Sequence, residues 1–170
     1  MITSFPPIVQ NDAQVLILGT MPGVQSLEKQ QYYGHPQNHF WRVIYGLYGL
    51  EKPAPDYVER VNFLQDKRIA LWDVLSSCDR EGSSDAKILN PVPNDFDFFF
   101  KQYIGIKAVC FNGGKAEDLF HKLVREQQET SDGLCYYRLP STSPAHAIPF
   151  SKKLENWRVV LQLLSGGTCI

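Results

Sequence analysis

Four short apolar runs, at 15–18, 69–75, 108–111 and 136–139, constrain the fold of this chain more than any other feature. Each is short enough for a buried strand, and each of the first three ends near Gly, Ser or Asn. Helix-spaced patterns at about 39–48, 56–65, 115–126 and 152–164 separate them. Phe40, Val43, Ile44, Leu47 and Tyr48 recur at helical spacing, as do Val159, Val160, Leu163 and Leu164. Strands that alternate with helices predict a parallel sheet covered on both faces. The expected fold is one three-layer α/β domain over 1–170, a short parallel four-stranded sheet flanked by helices.

A chain of 170 residues with 44% hydrophobic content suits one soluble domain. No run approaches the roughly 18 apolar residues needed to span a bilayer. The start, Met1-Ile2-Thr3-Ser4-Phe5, has neither a basic nor an apolar leader region, so a cytoplasmic protein with no membrane partner is expected. Cys78, Cys110, Cys135 and Cys169 are widely spaced. Without a Cys-x-x-Cys pair they argue against a zinc or iron–sulfur site, and buried free thiols are expected. A formal net charge of −1 does not advertise a nucleic-acid partner. Phosphate binding needs only a local basic face, however. Lys115, Arg138, Lys152, Lys153 and Arg158 are the candidates for one, against the plainer reading of scattered solvated charges.

The densest chemistry lies in Tyr32-Tyr33-Gly34-His35-Pro36-Gln37-Asn38-His39-Phe40-Trp41. This stretch follows a strand-and-turn pattern ending in Gly19-Thr20-Met21-Pro22-Gly23. Aromatics supply flat π-faces and a carboxamide supplies both donor and acceptor, a set that suits a pocket stacking on a planar ring and positioning a water. An aromatic-rich loop covering the sheet edge is the alternative. In an open α/β sheet, ligands sit beyond the carboxyl ends of the strands. Gly19, Asn112 and Leu139 should therefore share one edge. Asn112-Gly113-Gly114-Lys115 follows a strand and opens a helix, so it could meet a phosphate, or it could be a tight turn.

Gly19-Thr20-Met21-Pro22-Gly23, Tyr33-Gly34-His35-Pro36 and Asn38-His39-Phe40-Trp41, in that order, resemble the opening motif of the uracil-DNA glycosylase superfamily. Leu139-Pro140-Ser141-Thr142-Ser143-Pro144-Ala145-His146-Ala147 resembles its late Pro-Ser loop. Within the superfamily the pattern looks most like the hypoxanthine-DNA (deoxyinosine) glycosylases. The resemblance runs from about Val15 to Trp157.

The resemblance implies a monofunctional glycosylase that extrudes a damaged nucleotide, reads its base and hydrolyses the N-glycosidic bond. No metal or cofactor is implied. The mismatch-specific branch carries a water-holding Asn where this chain has Met21, whose thioether accepts hydrogen bonds only weakly. In hypoxanthine-type members the Asn matching Asn38 is implicated in catalysis; Asn38 also fits a helix N-cap. Gly19, Thr20, Met21, Pro22 and Gly23 would shape the base pocket, or form a strand-exit turn without chemistry. Tyr33 matches the aromatic that stacks on the base, with Phe40 as a second wall; both could equally be core. His35 would bond the base, and His39 and His146 the DNA backbone, beside the structural roles usual for histidine. Ser141, Thr142 and Ser143 resemble the residues that pinch flanking phosphates, with a Ser/Thr turn as the alternative. Asn112, Gly113 and Lys115 complete the DNA-contacting set. Ala147-Ile148-Pro149 would supply an apolar wedge. Asp73, Asp85, Asn94 and Asp95 are read as structural, with a general-base role for Asp73 as the lesser option.

Leu139 stands where many uracil-specific members carry His, which favours hypoxanthine over uracil as the excised base. The expected partner is double-stranded DNA containing a damaged base, acted on by a monomer. A mismatch-type uracil or thymine glycosylase is the first alternative, and a non-catalytic nucleic-acid-binding domain of the same fold the second. An α/β hydrolase is disfavoured by the lack of a Gly-x-Ser-x-Gly elbow.

Overall fold

The computed structural model describes residues 1–126, 133–167 and 169. In chain order the elements are β1 (Ile2–Thr3), β2 (Val15–Gly19), α1 (Val24–Lys29), α2 (Phe40–Leu47), α3 (Tyr57–Asp66), β3 (Ile69–Asp73), β4 (Leu75–Asp79), β5 (Leu89–Pro93), α4 (Phe96–Gln102), β6 (Ala108–Asn112), α5 (Gly114–Phe120), β7 (Cys135–Leu139), α6 (Phe150–Trp157) and α7 (Val159–Leu164). A single 3-10 turn at Asp85–Lys87 precedes β5, and a π-helical turn at His121–Arg125 extends α5.

The four strands expected from the apolar runs form one parallel sheet in the order β3-β2-β6-β7. Central β2 is buried along its whole length, which is why its sequence runs continuously apolar instead of alternating. Its odd residues, Val15 and Ile17, join Phe40, Val43, Ile44, Leu64, Trp157 and Val160 in a core beneath α2, α3, α6 and α7. Its even residues, Leu16 and Leu18, face Phe96, Phe99, Ala116 and Phe120 of α4 and α5. The molecule is thus the three-layer α/β arrangement expected.

The structure adds a small antiparallel sheet, β1-β4-β5, that periodicity does not predict. The apolar run 69–75 splits at Val74 because the Val74 N–H donates to Gly19 O at 2.9 Å and turns the chain out of the parallel sheet. Polar Ser76, Ser77 and Asp79 then conceal β4 from a hydrophobicity reading. The pattern 152–164 likewise breaks in two, at Arg158. Helix α4 was also unexpected; Asp95 caps it by accepting the Phe98 N–H at 3.0 Å.

The expectation of four free thiols needs correction. Cys78 and Cys110 are free and buried, but Cys135 and Cys169 form a disulfide. A separation of 34 residues hides this pair from any spacing rule, because it depends on the chain end returning beside β7.

Strand register places the functional edge. Gly19 pairs with Asp73, Leu18 with Phe111, and Asn112 with Leu139. The carboxyl ends of all four strands therefore meet on one side, as expected for Gly19, Asn112 and Leu139. Among the described residues, no helix is long and apolar enough to cross a membrane.

Candidate active site

Beyond that edge lies a cavity of about 840 Å³, lined by the Gly19–Gly23 turn, Tyr33, His35, Asn38, Asp73, Asp85, Asn112, Ser141–Ser143 and His146 among others. Motifs more than a hundred residues apart thus line one space. A second cavity, about 720 Å³, shares Tyr33, His35, Asn38 and His146 with the first and adds Lys29, His39, Arg42, Arg60 and Lys153. Its lining carries four cations and, among the described residues, no carboxylate.

The floor of the first cavity rests on a close approach that only glycine permits. A Cβ on Gly19 would lie 2.6 Å from Asp73 Oδ1 and 2.8 Å from the Tyr33 hydroxyl. Arg80, whose side chain is fully buried, holds the turn from below: its guanidinium donates to the carbonyl of Pro22 and lies 3.5 Å from Asp85 Oδ1. Thr20 hydrogen-bonds Asp85. Burial pushes Asp85 upward from the usual carboxylate range, while Thr20, Arg80 and Lys115 pull the other way. Met21 is 7% exposed and packs into the core beneath α4 and α5, so its side chain wedges the turn.

Asn38 stands at the junction of the two cavities. Its Oδ1 accepts the Phe40 N–H at 2.9 Å and starts α2, while its own N–H donates to His35 O at 3.0 Å. A carboxamide oxygen has a second lone pair and the amide nitrogen has two protons. Capping and a role in the cavity are therefore compatible. His35 is turned by its own segment, its Nδ1 accepting the Gln37 N–H at 3.1 Å.

Tyr33 adopts a left-handed backbone (φ 54°) and stacks on Phe40 with centroids 4.1 Å apart. Phe40 is fully buried and lines neither cavity. The expectation of Phe40 as a base-contacting wall is corrected: it is the first residue of α2, turned into the core, and it backs Tyr33. Burial, with Asp73 nearby, pushes the Tyr33 phenol well above its ordinary value, so Tyr33 works as a neutral ring.

Asn112 is a clip. Its Nδ2 donates to the Tyr33 hydroxyl and to Thr142 Oγ1, each at 2.9 Å, and its Oδ1 accepts the Thr142 N–H at 2.9 Å. Thr142 is fully buried, and its carbonyl accepts the His39 N–H at 3.0 Å. Asn112 and Thr142, expected to contact DNA, line the first cavity, and their polar groups are engaged with each other and with Tyr33 and His39. In the 112–115 turn, expected to meet a phosphate, the N–H of Gly113 is already engaged. The Gly113 N–H donates to Leu139 O and Phe111 O, and Gly113 takes φ 94° with room for a Cβ closed by Ser141 at 3.0 Å. Lys115 is exposed and lines neither cavity.

Ser141 and Ser143 remain at the surface of the first cavity. Ser141 Oγ accepts the Ser143 N–H and Ser143 Oγ accepts the Ala145 N–H, each at 3.2 Å. A hydroxyl that accepts still has its own O–H to give. Lys153, 1% exposed, donates to Ser143 O at 3.1 Å and fixes the loop from inside; burial lowers its ammonium pKa. His39, whose buried Nδ1 has no partner, lies in the second cavity; burial, then Lys153 and Arg42, lower its pKa. Ala147 and Ile148 sit on the lining of the second cavity.

Of the five cations proposed for a basic face, only Lys153 reaches it. Arg138 pairs with Glu117 and Lys152 with Glu155. The groove cations that sequence reasoning missed are Lys29, Arg42 and Arg60. Each leans on a neighbour: Lys29 donates to Gly34 O at 2.7 Å, Arg42 lies 3.8 Å over the Phe150 ring, and Arg60 lies 5.5 Å from Trp41 and Tyr57. Asp73 and Asp85, read as structural, both line the first cavity.

Comparison with known proteins agrees with this layout. The family model for the uracil DNA glycosylase superfamily matches residues 6–165. A protein from Methanosarcina acetivorans named hypoxanthine DNA glycosylase is 37% identical over 161 residues, covering 93% of this chain and 96% of the relative. One of the same name from Methanosarcina barkeri is 39% identical over 112 residues, covering 66% and 71%. The solution NMR structure of a candidate uracil DNA glycosylase from Methanosarcina acetivorans superposes with a TM-score of 0.80 at 34% identity, covering 96% of this chain and 98% of that one. With its two motifs facing each other across one cavity, the chain belongs to the uracil DNA glycosylase superfamily.

Proposed function

We propose that this protein is a monofunctional DNA glycosylase that hydrolyses the N-glycosidic bond of a deaminated base, hypoxanthine in preference to uracil. The observation that carries the reading is the pair of adjoining cavities. One is a recess at the sheet edge lined by Tyr33, Asn38 and Ser141; the other is a carboxylate-free groove holding Lys29, Arg42, Arg60 and Lys153. An extruded base enters the recess and stacks on Tyr33 while the neighbouring phosphates run along the groove. Asn38 holds the attacking water at the anomeric carbon. Ser141, Ser143 and His146 contact the backbone beside the lesion.

Hypoxanthine is favoured on two grounds. Met21 and Leu139 are both buried in the core, so neither position offers the polar group that a uracil-dedicated pocket uses. A bicyclic base also gains more from Tyr33, a base–aromatic stack being worth roughly 1–3 kcal/mol. The names of the Methanosarcina relatives support the same substrate. On this reading the protein works as a cytoplasmic monomer on double-stranded DNA containing a damaged base, without metal or cofactor.

End-labelled duplexes carrying hypoxanthine, uracil or xanthine, incubated with the protein and then cleaved with alkali, test the assignment. Strand breaks at the hypoxanthine position faster than at uracil are expected. Breaks mainly at uracil opposite guanine would transfer the chain to the mismatch-type reading.

A further inference from the structure

Arg80 directly follows β4, and its side chain is fully buried. A guanidinium is costly to bury unless partners meet its donors, so those partners show what it is for. Its three nitrogens serve three different residues. Nε donates to Gly82 O at 3.0 Å, Nη2 donates to Pro22 O, and Nη1 lies 3.5 Å from Asp85 Oδ1. Gly82 and Asp85 belong to the connection from β4 to β5, whereas Pro22 belongs to the turn after β2. Two further bonds run alongside. Thr20 hydrogen-bonds Asp85, and the Val24 N–H donates to Ser83 Oγ at 2.9 Å. Thr20, Pro22 and Val24, alternate residues of the turn, are thus each tied to the 80–85 connection. Gly23 permits the closeness, since a Cβ there would lie 3.2 Å from Ser83 Oγ.

Ser83, Ser84 and Asp85 line the first cavity together with Gly19–Gly23 and Tyr33. Ser83 and Ser84 are exposed and hang from the small antiparallel sheet, so the parallel strands do not fix their distance from Tyr33. The ties through Arg80, Thr20 and Val24 do. Resting on the glycosylase reading, we propose that Arg80 is a positioning residue for base selection: it holds the 19–23 turn and the 82–85 loop as one wall, and the fixed place of that wall fits the recess to a bicyclic base. Arg80 lines neither cavity, so it acts through Pro22 and Asp85.

Tyr33 supplies the face on which the ring lies, and the wall limits how far the ring reaches. A bicyclic ring extends further than a single ring and meets the wall more closely. A misplacement of about 1 Å can cost about 100-fold in rate even when the altered residue is remote from the chemistry. The charge of Arg80 has a separate effect: burial raises Asp73, to about 7, and Asp85, and Arg80 opposes both shifts. A lysine keeps that charge but presents one nitrogen where the planar fork presents three. Arg80→Lys therefore isolates the fork.

The test compares wild type, Arg80→Lys and Ser83→Ala in single-turnover release of hypoxanthine and of uracil. Each is also assayed for binding to duplexes carrying non-hydrolysable 2′-fluoro-deoxyinosine, 2′-fluoro-deoxyuridine or no lesion. Ratios are read within each preparation, because a loss of folded protein scales both sides equally. Arg80→Lys should lower hypoxanthine release by about tenfold or more while uracil release stays within about threefold. Its preference for the inosine duplex over the uridine duplex should fall with it, and affinity for undamaged duplex should be retained. Ser83→Ala, which cuts one tie, should move both ratios in the same direction by less. Hypoxanthine and uracil release falling in step in Arg80→Lys would mark a merely structural arginine and overturn the proposal. If Arg80→Lys does not fold, Ser83→Ala decides, and unmoved ratios in it overturn the proposal. If wild type releases no base, the glycosylase reading fails by itself. The binding arm then decides for Arg80: an inosine preference that Arg80→Lys loses supports it, and one that persists, or no preference at all, overturns it.

Discussion

The side-chain oxygen of Asn38 accepts the backbone N–H of Phe40 at 2.9 Å, so one carboxamide both starts α2 and faces the two cavities. Asn38→Asp keeps a capping oxygen and removes the NH₂ group; Asn38→Ala removes both. Both variants should lower base release by about 100-fold or more. Only Asn38→Ala should also lose stability, by about 1 kcal/mol. Single-turnover rates and denaturant melts on the two variants separate the roles, and an Asn38→Asp protein with full activity would leave Asn38 a cap alone.

Asn112 joins Tyr33 to Thr142 through its entire carboxamide. Asn112→Ala leaves the Thr142 N–H and the Tyr33 hydroxyl without their partner, at about 1–3 kcal/mol for each buried group left unsatisfied. A lowered melting temperature and slower base release are expected. The salt dependence of DNA binding should stay unchanged, because a neutral carboxamide releases no counterion. An unchanged melting temperature and an unchanged rate of base release in this variant would contradict the clip.

Arg42 and Lys29 carry the opposite signature. Removing a cation that neutralises one phosphate lowers the slope of log K against log salt by about one. Arg42→Ala and Lys29→Ala are expected to weaken binding to damaged and undamaged duplex alike, each with a shallower slope. Arg138→Ala and Lys152→Ala, whose partners are Glu117 and Glu155, should change the slope little. Fluorescence anisotropy titrations at several salt concentrations check all four.

Asp73 also makes a stability prediction with a definite sign. Its pKa is raised from 3.8 to about 7 on folding, so between those values the native state binds more protons than the unfolded chain. Stability on this account is greatest below pH 4, falls as pH rises toward 7, and then levels, the span being on the order of a few kcal/mol. Asp73→Asn should remove that slope and be more stable than wild type at pH 8. Urea melts across this range measure it, and parallel wild-type and Asp73→Asn profiles would contradict the raised pKa.

The main sheet is legible because β2, β3 and β6 are buried strands that read as apolar runs, while β7 is half-buried and carries the exposed Arg138. The short antiparallel sheet was not, since Ser76, Ser77 and Asp79 give β4 no period. At the site, Asn38, Tyr33 and the 19–23 turn were legible as unusual chemistry next to a strand end. Which polar residues face the cavity was not. Asn112 and Asp73 both end strands of the main sheet, yet both ends of the Asn112 carboxamide are bonded, to Tyr33 and Thr142, while Asp73 keeps an orphan oxygen. Only their three-dimensional partners separate them. The cations of the groove were missed because Lys29, Arg42 and Arg60 sit on three different helices, with no cluster in sequence.

The central claim is that this chain frees an intact base by hydrolysis. The most direct test incubates an excess of protein with a deoxyinosine duplex and quantifies free hypoxanthine by chromatography against alkali-labile sites in the same sample. One hypoxanthine per abasic site is expected, with Asn38→Ala slower by about 100-fold. Strand breaks without free hypoxanthine, or tight binding to the lesion with no base released, would contradict it.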